Sequence, residues 1–110
     1  MYLNIKVNSM AKKITLSDKM FKELIDRFKD KKGFLGVILS TIDGLPVKST
    51  LETDITEEFT ARMAYLLGKL DKFAEKLDGT KVVGLTVETE NTEIILIKED
   101  TTFMSVLLAK

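Results

Sequence analysis

Two rhythms of apolar and polar positions run along this chain, and the switches between them outline its elements. Residues 34–41, FLGVILST, form a continuous apolar run with the length and bulk of a buried strand. Asp43-Gly44 follows, a pair that takes the left-handed backbone angles of a tight hairpin turn. Pro46, the only proline, cannot donate to a strand ladder and therefore belongs at the start or edge of a second strand ending near Thr50. Gly36 lies inside the first strand, where it is expected to let the hairpin pack closely against a helix.

Helical spacing flanks this hairpin. Met20, Phe21, Leu24, Ile25 and Phe28 share one face, and Lys19, Lys22, Glu23, Asp26 and Lys29 take the other. Ser17 is the expected N-cap, with Asp18 in the first turn and Gly33 as the stop. After the hairpin, Asp54 and Glu57 suggest a capping box that opens a second helix ending at Asp78-Gly79. At about 1.5 Å per residue that helix is roughly 36 Å long. Phe59, Met63, Leu66, Leu67, Leu70, Phe73, Ala74 and Leu77 form a stripe expected to face the core. Ala61, Ala64 and Gly68 lie roughly opposite, with Tyr65 beside them. Glycine inside a helix costs about 1 kcal/mol relative to alanine, so this small-residue ridge suggests a second helix approaching closely. The alternative is that the alanines are simply good helix formers and Gly68 is tolerated.

Three further strands are expected, at residues 81–89, 92–99 and 102–109, joined by turns at Glu90-Asn91 and Asp100-Thr101. In the first, Val83, Leu85 and Val87 share a face. Residues 94–97 and 106–109 are apolar on both faces, so the sheet needs cover on both sides. The order helix, strand, strand, helix, strand, strand, strand predicts an α+β fold: a five-stranded antiparallel sheet with helices packed on its faces. At the N-terminus, Leu3, Ile5 and Val7 alternate with Asn4, Lys6 and Asn8, followed by a second possible start at Met10. Residues 1–13 read either as a leader or as an extra edge strand, and residues 14–110 as a single domain.

Composition narrows the function. Seventeen basic and seventeen acidic residues cancel among 110, which gives no long-range attraction to nucleic acid or anionic membrane and little repulsion between copies. There is no cysteine and no histidine, which removes disulfides, thiolate metal sites, cysteine nucleophiles and histidine acid–base chemistry. No apolar run reaches the roughly 20 residues of a membrane span, and the first residues lack a signal-peptide apolar core; the expected location is cytoplasmic. The glycines form no phosphate-binding pattern. Glu88, Glu90 and Glu93 cluster at a turn and read better as a solvated hairpin tip than as a divalent-ion site. Ser40, Ser49 and Ser105 have no histidine to activate them, and Asp43 is explained by the turn alone. No catalytic, cofactor-binding or metal residue is assigned, and the chain is not expected to be an enzyme.

The segment ILSTIDGLPVKST, through Ser40 or Thr41, Asp43, Gly44, Leu45, Pro46 and Ser49, resembles the signature of the roadblock/dynein light-chain family. The following helix EEFTARMAYLLGKLDKFAEKL and the segment VVGLTVETENTEIILIKE are similar to that family's second helix and its third and fourth strands. The resemblance spans about residues 16–108. It implies a roadblock/profilin-like sandwich, with profilin or longin folds as the structural alternative. It also implies a homodimer in which the long helices pack together and the third strands pair across a two-fold axis. The expected dimer interface is Ala61, Ala64, Tyr65, Gly68, Val83, Leu85 and Val87; Asp43, Gly44 and Pro46 form the structural turn. The implied function is a non-catalytic scaffold or regulator of a Ras-like small GTPase. The alternative is an adaptor subunit of a motor, trafficking or signalling complex without a GTPase partner. Many members carry a further helix after the fifth strand, whereas this sequence ends at Lys110; one sheet face is therefore expected to be less covered.

Overall fold

The computed structural model describes residues 13–110, with side chains from residue 18 onward. The elements are α1 (Lys13–Phe28), β1 (Phe34–Thr41), β2 (Pro46–Ser49), α2 (Thr53–Asp78), β3 (Gly84–Glu88), β4 (Thr92–Glu99) and β5 (Thr102–Ala109). The strands form one five-stranded sheet in the order β2-β1-β5-β4-β3, with every neighbouring pair antiparallel. The expected element order holds, and the bounds of β1, β4 and β5 coincide with the expected strands. The alternation of residues 1–9 lies outside the described residues.

The two-faced apolar pattern of the central strands fixes the layering. On one face Val37 and Leu39 of β1, Met104 and Val106 of β5 and Ile95 of β4 are sealed by Met20, Leu24 and Phe28 of α1. The other face is more thinly covered: Leu67 of α2 packs on Leu96 and Phe103, with Met63, Ala64, Val82 and Leu85 around them. Between Ser49 and Gly84 the chain crosses the sheet under α2, so β2 and β3 run parallel at opposite edges.

The hairpin turns as its sequence demands. Gly44 adopts φ +95°, the Thr41 N–H donates to the Leu45 carbonyl at 2.9 Å, and Pro46 opens the exposed edge strand. Gly36 is a tight point for a different neighbour than expected. A Cβ there would lie 2.8 Å from Leu51 Cγ and 2.9 Å from Thr50 Oγ1, so the close approach is made by the segment after β2, not by a helix.

Four local expectations change. Helix α1 begins at Lys13, and Ser17 lies inside it, because nothing between them is a glycine or proline that would break the helix. Helix α2 is capped by Glu52 without a side-chain hydrogen bond, so the Asp54–Glu57 box does not form. The Thr56 hydroxyl instead bridges Ser49 Oγ at 2.7 Å and the Leu51 carbonyl at 3.3 Å, tying the helix start to the end of β2. Strand β3 is shorter than residues 81–89, since the Val82 N–H donates to Asp71 Oδ1 rather than to a ladder. Finally, the core stripe of α2 is rotated. Its fully buried residues are Thr56, Thr60 and Leu67, whereas Phe73 and Leu77 remain 62% and 71% exposed. Gly79, at φ +78° with its N–H on the Glu75 carbonyl, ends the helix as expected.

Thr60 holds α2 to the sheet through a fully buried hydroxyl pair with Ser40, 3.1 Å apart. Thr60→Val strands the Ser40 hydroxyl in a dry site and is expected to cost about 1–3 kcal/mol. Adding Ser40→Ala is expected to recover part of that loss. Urea unfolding midpoints of the two variants test both statements.

Candidate interaction surface

Among the described residues no three His, Cys, Asp or Glu side chains gather into a possible metal cluster. The candidate surface is instead built from α2 and the edge strand beside its end. Phe59, Met63, Leu66, Leu70, Phe73 and Leu77 recur at alternating steps of four and three. That spacing aligns them in one apolar seam along the helix. Because Thr56, Thr60 and Leu67 point at the sheet, the seam sits on the flank of α2 rather than beneath it. Ile55 extends it, 52% exposed, and Phe59 and Leu66 are half-buried.

The flank with Ala61 and Ala64 faces the hairpin turn. A Cβ at Gly44 would sit 3.5 Å from Ala64 Cβ and 3.6 Å from Ala61 Cα. The small residues therefore have a neighbour within their own chain: they admit the turn. Gly68 has open space around it, and Tyr65 is exposed with Lys69 Nζ 5.3 Å over its ring. Both lie on the side of the helix away from the seam.

Opposite the Gly44 flank, the seam looks towards the uncovered half of the sheet. Val87, Ile94 and Leu107 share that face with Leu96 and Phe103, by strand alternation and register, and stay half-buried. Strand β3 is the last in the sheet. Along it Leu85 and Val87 are half-buried, Thr86 and Glu88 are exposed, and Val83 just before it is 75% exposed. Seam, open sheet face and edge strand are contiguous in character: apolar, lightly charged and without cover among the described residues.

Asp71 fixes where α2 ends over the sheet. Its Oδ1 accepts the Val82 N–H at 2.8 Å and its Oδ2 accepts Lys98 Nζ at 2.8 Å. The pair is nearly buried, with Lys98 9% and Asp71 18% exposed. Burial raises the Asp71 carboxyl. The hydrogen bonds from Lys98 and Val82 and the charges of Lys98 and Lys81 outweigh it and leave the group below its ordinary value. At the other end of β3 Lys110 lies 2.8 Å from Glu88 and lowers that carboxyl, but the pair is exposed and contributes little.

Sequence reasoning found β3 and its apolar positions but assigned the whole apolar stripe of α2 to the core. A four–three repeat is shared by a core-facing stripe and a helix–helix seam, so spacing alone did not reveal the exposed flank. Thr56 and Thr60 carried no signal, since a buried threonine reads like a surface one.

This geometry, with antiparallel order β2-β1-β5-β4-β3 and one helix on each face, defines an α+β sandwich of the roadblock type. The Roadblock/LC7 domain profile matches residues 20–109, and this chain belongs to that family, generally a non-catalytic adaptor fold. A Roadblock/LC7 domain from Streptomyces avermitilis superposes with a TM-score of 0.72 at 21% identity, covering 84% of this chain and 77% of that one. Myxococcus xanthus MglB gives 0.71 at 12% identity, covering 87% and 77%. The gliding protein MglB from Thermus thermophilus gives 0.69 at 7% identity, covering 99% and 81%. No curated protein matches the sequence. Among the described residues no helix is long and apolar enough to cross a membrane.

Asp71→Ala removes two bonds to a charged group and leaves Lys98 unpaired, with an expected loss of about 1.5–3 kcal/mol in unfolding free energy. A depressed carboxyl stabilises the fold above its unfolded pKa and loses that contribution as pH falls through the folded one. Wild-type stability is therefore expected to drop below about pH 3.8, the ordinary aspartate value, and the variant's curve to be flatter there. Thermal melts between about pH 2 and 7 check the sign.

Proposed function

We propose that this chain is a non-catalytic, cytoplasmic, homodimeric module that binds or regulates a Ras-like small GTPase. The observation that carries the dimer is the α2 seam lying next to an uncovered sheet face and the β3 edge. A two-fold contact is self-complementary: seam meets seam, and β3 meets its own copy. Phe59, Leu66, Phe73 and Leu77 then join Val83, Leu85 and Val87 at the centre of the interface. Gly68 and Tyr65 fall towards its outside. A tetrameric arrangement named for an MglB structure of this fold, with a TM-score of 0.69, supports association through this scaffold.

A surface that supplies binding but no reacting groups suits a regulator. The chain brings no histidine or cysteine, and among the described residues no second acid joins Asp71 at its ion pair. Dimerisation places two identical outer surfaces around one axis, so a GTPase would be met by residues of both subunits.

Phe73→Glu puts a charge into the seam and is expected to weaken the dimer roughly 30-fold or more, the scale of a buried aromatic hot spot. Gly68→Leu is expected to leave it intact. Light scattering across a dilution series reads both, and a strictly monomeric wild type at high concentration overturns the dimer. For the partner, the tagged protein is expected to capture a small GTPase from its native cells in one nucleotide state and not the other. Capture of a complex containing no GTPase would favour the adaptor reading.

A further inference from the structure

The second open edge of the sheet, at β2, is flanked by two unlike grooves. On the α1 face, Phe21, Ile25, Lys22 and Asp18 line a shallow, open groove of about 570 Å³ with Lys48 of β2. Lys48 holds its rim, 3.0 Å from Asp18 Oδ1 and 5.9 Å above the Phe21 ring. On the α2 face, Val47, Ser49, Thr53, Thr56 and Glu57 line a smaller groove of about 240 Å³ with polar walls. A strand laid beside β2 must therefore be apolar on one face and polar on the other.

The chain contains such a segment. Leu3, Ile5 and Val7 occupy one face of an alternating stretch, and Asn4, Lys6 and Asn8 the other. We propose that residues 3–8 pair with β2 of the same chain as a sixth strand. Leu3, Ile5 and Val7 enter the groove under Phe21 and Ile25, and Lys6 turns towards Glu57. The assignment does not depend on the GTPase or dimer reading.

Reach and topology both select this edge. Asp18 and Phe21 of α1 lie at Lys48, which stands opposite Leu39 near the end of β1, while residues 29–33 carry α1 into the start of β1. Helix α1 thus runs back along β1, and its N-terminus lies at the hairpin end. Residues 9–12 reach at most roughly 13–14 Å, enough to step between layers about 10 Å apart. A strand entering that way runs antiparallel to β2 and parallel to β1. Crossovers between parallel strands are right-handed in about 98% of cases. The β2–α2–β3 crossover fixes the sense of the sheet, and α1 lies on the other face. The crossover through α1 into β1 keeps the same hand only if the new strand lies outside β2; outside β3 it would be left-handed. The strand also caps an edge that β2, short and headed by proline, leaves open.

The chain has no cysteine, so paired cysteines report proximity directly. Val47, left unpaired at the irregularity in β2, lines the groove on the α2 side with Ser49, Thr56 and Glu57. Asn4→Cys, Lys6→Cys and Asn8→Cys are each combined with Val47→Cys in the full-length protein, and Leu3→Cys and Ile5→Cys with Val47→Cys serve as opposite-face controls. Under mild oxidation at least one polar-face pair is expected to form a disulfide within one chain, with little from the controls. No crosslink, equal crosslinking from both faces, or crosslinks only between chains would each overturn the proposal. In hydrogen exchange, Ile5→Asp is expected to speed the Val47 and Ser49 amides by roughly tenfold or more while the β4 and β5 amides hold. Unchanged exchange at β2 would also overturn it.

Discussion

Strands β1, β5 and β4 are apolar on both sides, and no sheet of this kind persists in water with a face bare. That constraint sets the rest of the structure. It puts α1 and α2 on opposite faces and makes each the cover for a different half of the core. The α1 side closes fully around Phe28, Val37 and Val106. The α2 side closes only where Leu67 meets Leu96 and Phe103, leaving Val87, Ile94 and Leu107 at half cover. The interaction surface proposed above follows from this shortfall among the described residues.

Helix α2 meets the sheet with an unusual division of labour. Its inward contacts near the N-terminus are hydroxyls, with Thr56 on Ser49 and Thr60 on Ser40, and its C-terminal half is tied by the Asp71 carboxylate to Val82 and Lys98. Directional bonds of this sort fix the roll of the helix about its axis, which apolar packing alone leaves looser. With the roll fixed, the bulkiest side chains, Phe59, Leu66, Phe73 and Leu77, are held to the flank. The polar anchors thus determine which apolar face is presented.

Much of this was legible in the chain. The strand patterns and the turns between them gave β1, β4 and β5 to the residue, and Asp43-Gly44-Leu45-Pro46 gave the hairpin, because those signals are local: strand bulk, positive φ and a missing donor. The alternation of Leu85 and Val87 gave β3, although its start shifted when Asp71 claimed the Val82 N–H from eleven residues away. The roll of α2 was not legible. Eight apolar residues on one stripe look like a core face, and only the partners of Thr56 and Thr60, supplied by β1 and β2, show that the face is turned aside. Ala61 and Ala64 drew notice as small residues; within the chain their neighbour is the Gly44 turn, a segment whose distance from the helix no spacing reveals.

The two rims of the sheet are chemically unlike. One is four residues long and begins with proline; the other is an alternating strand with β-branched residues. If they could join head to tail, each added molecule would expose the next rim and growth would run on into a filament. The proline at the head of β2 removes a donor from that junction, and the segment proposed to lie beside β2 takes up its remaining outward groups. In the dimer proposed above, β3 meets β3, a contact that uses itself up. An assembly closed by that contact would be finite, because it leaves no β3 rim for a further copy.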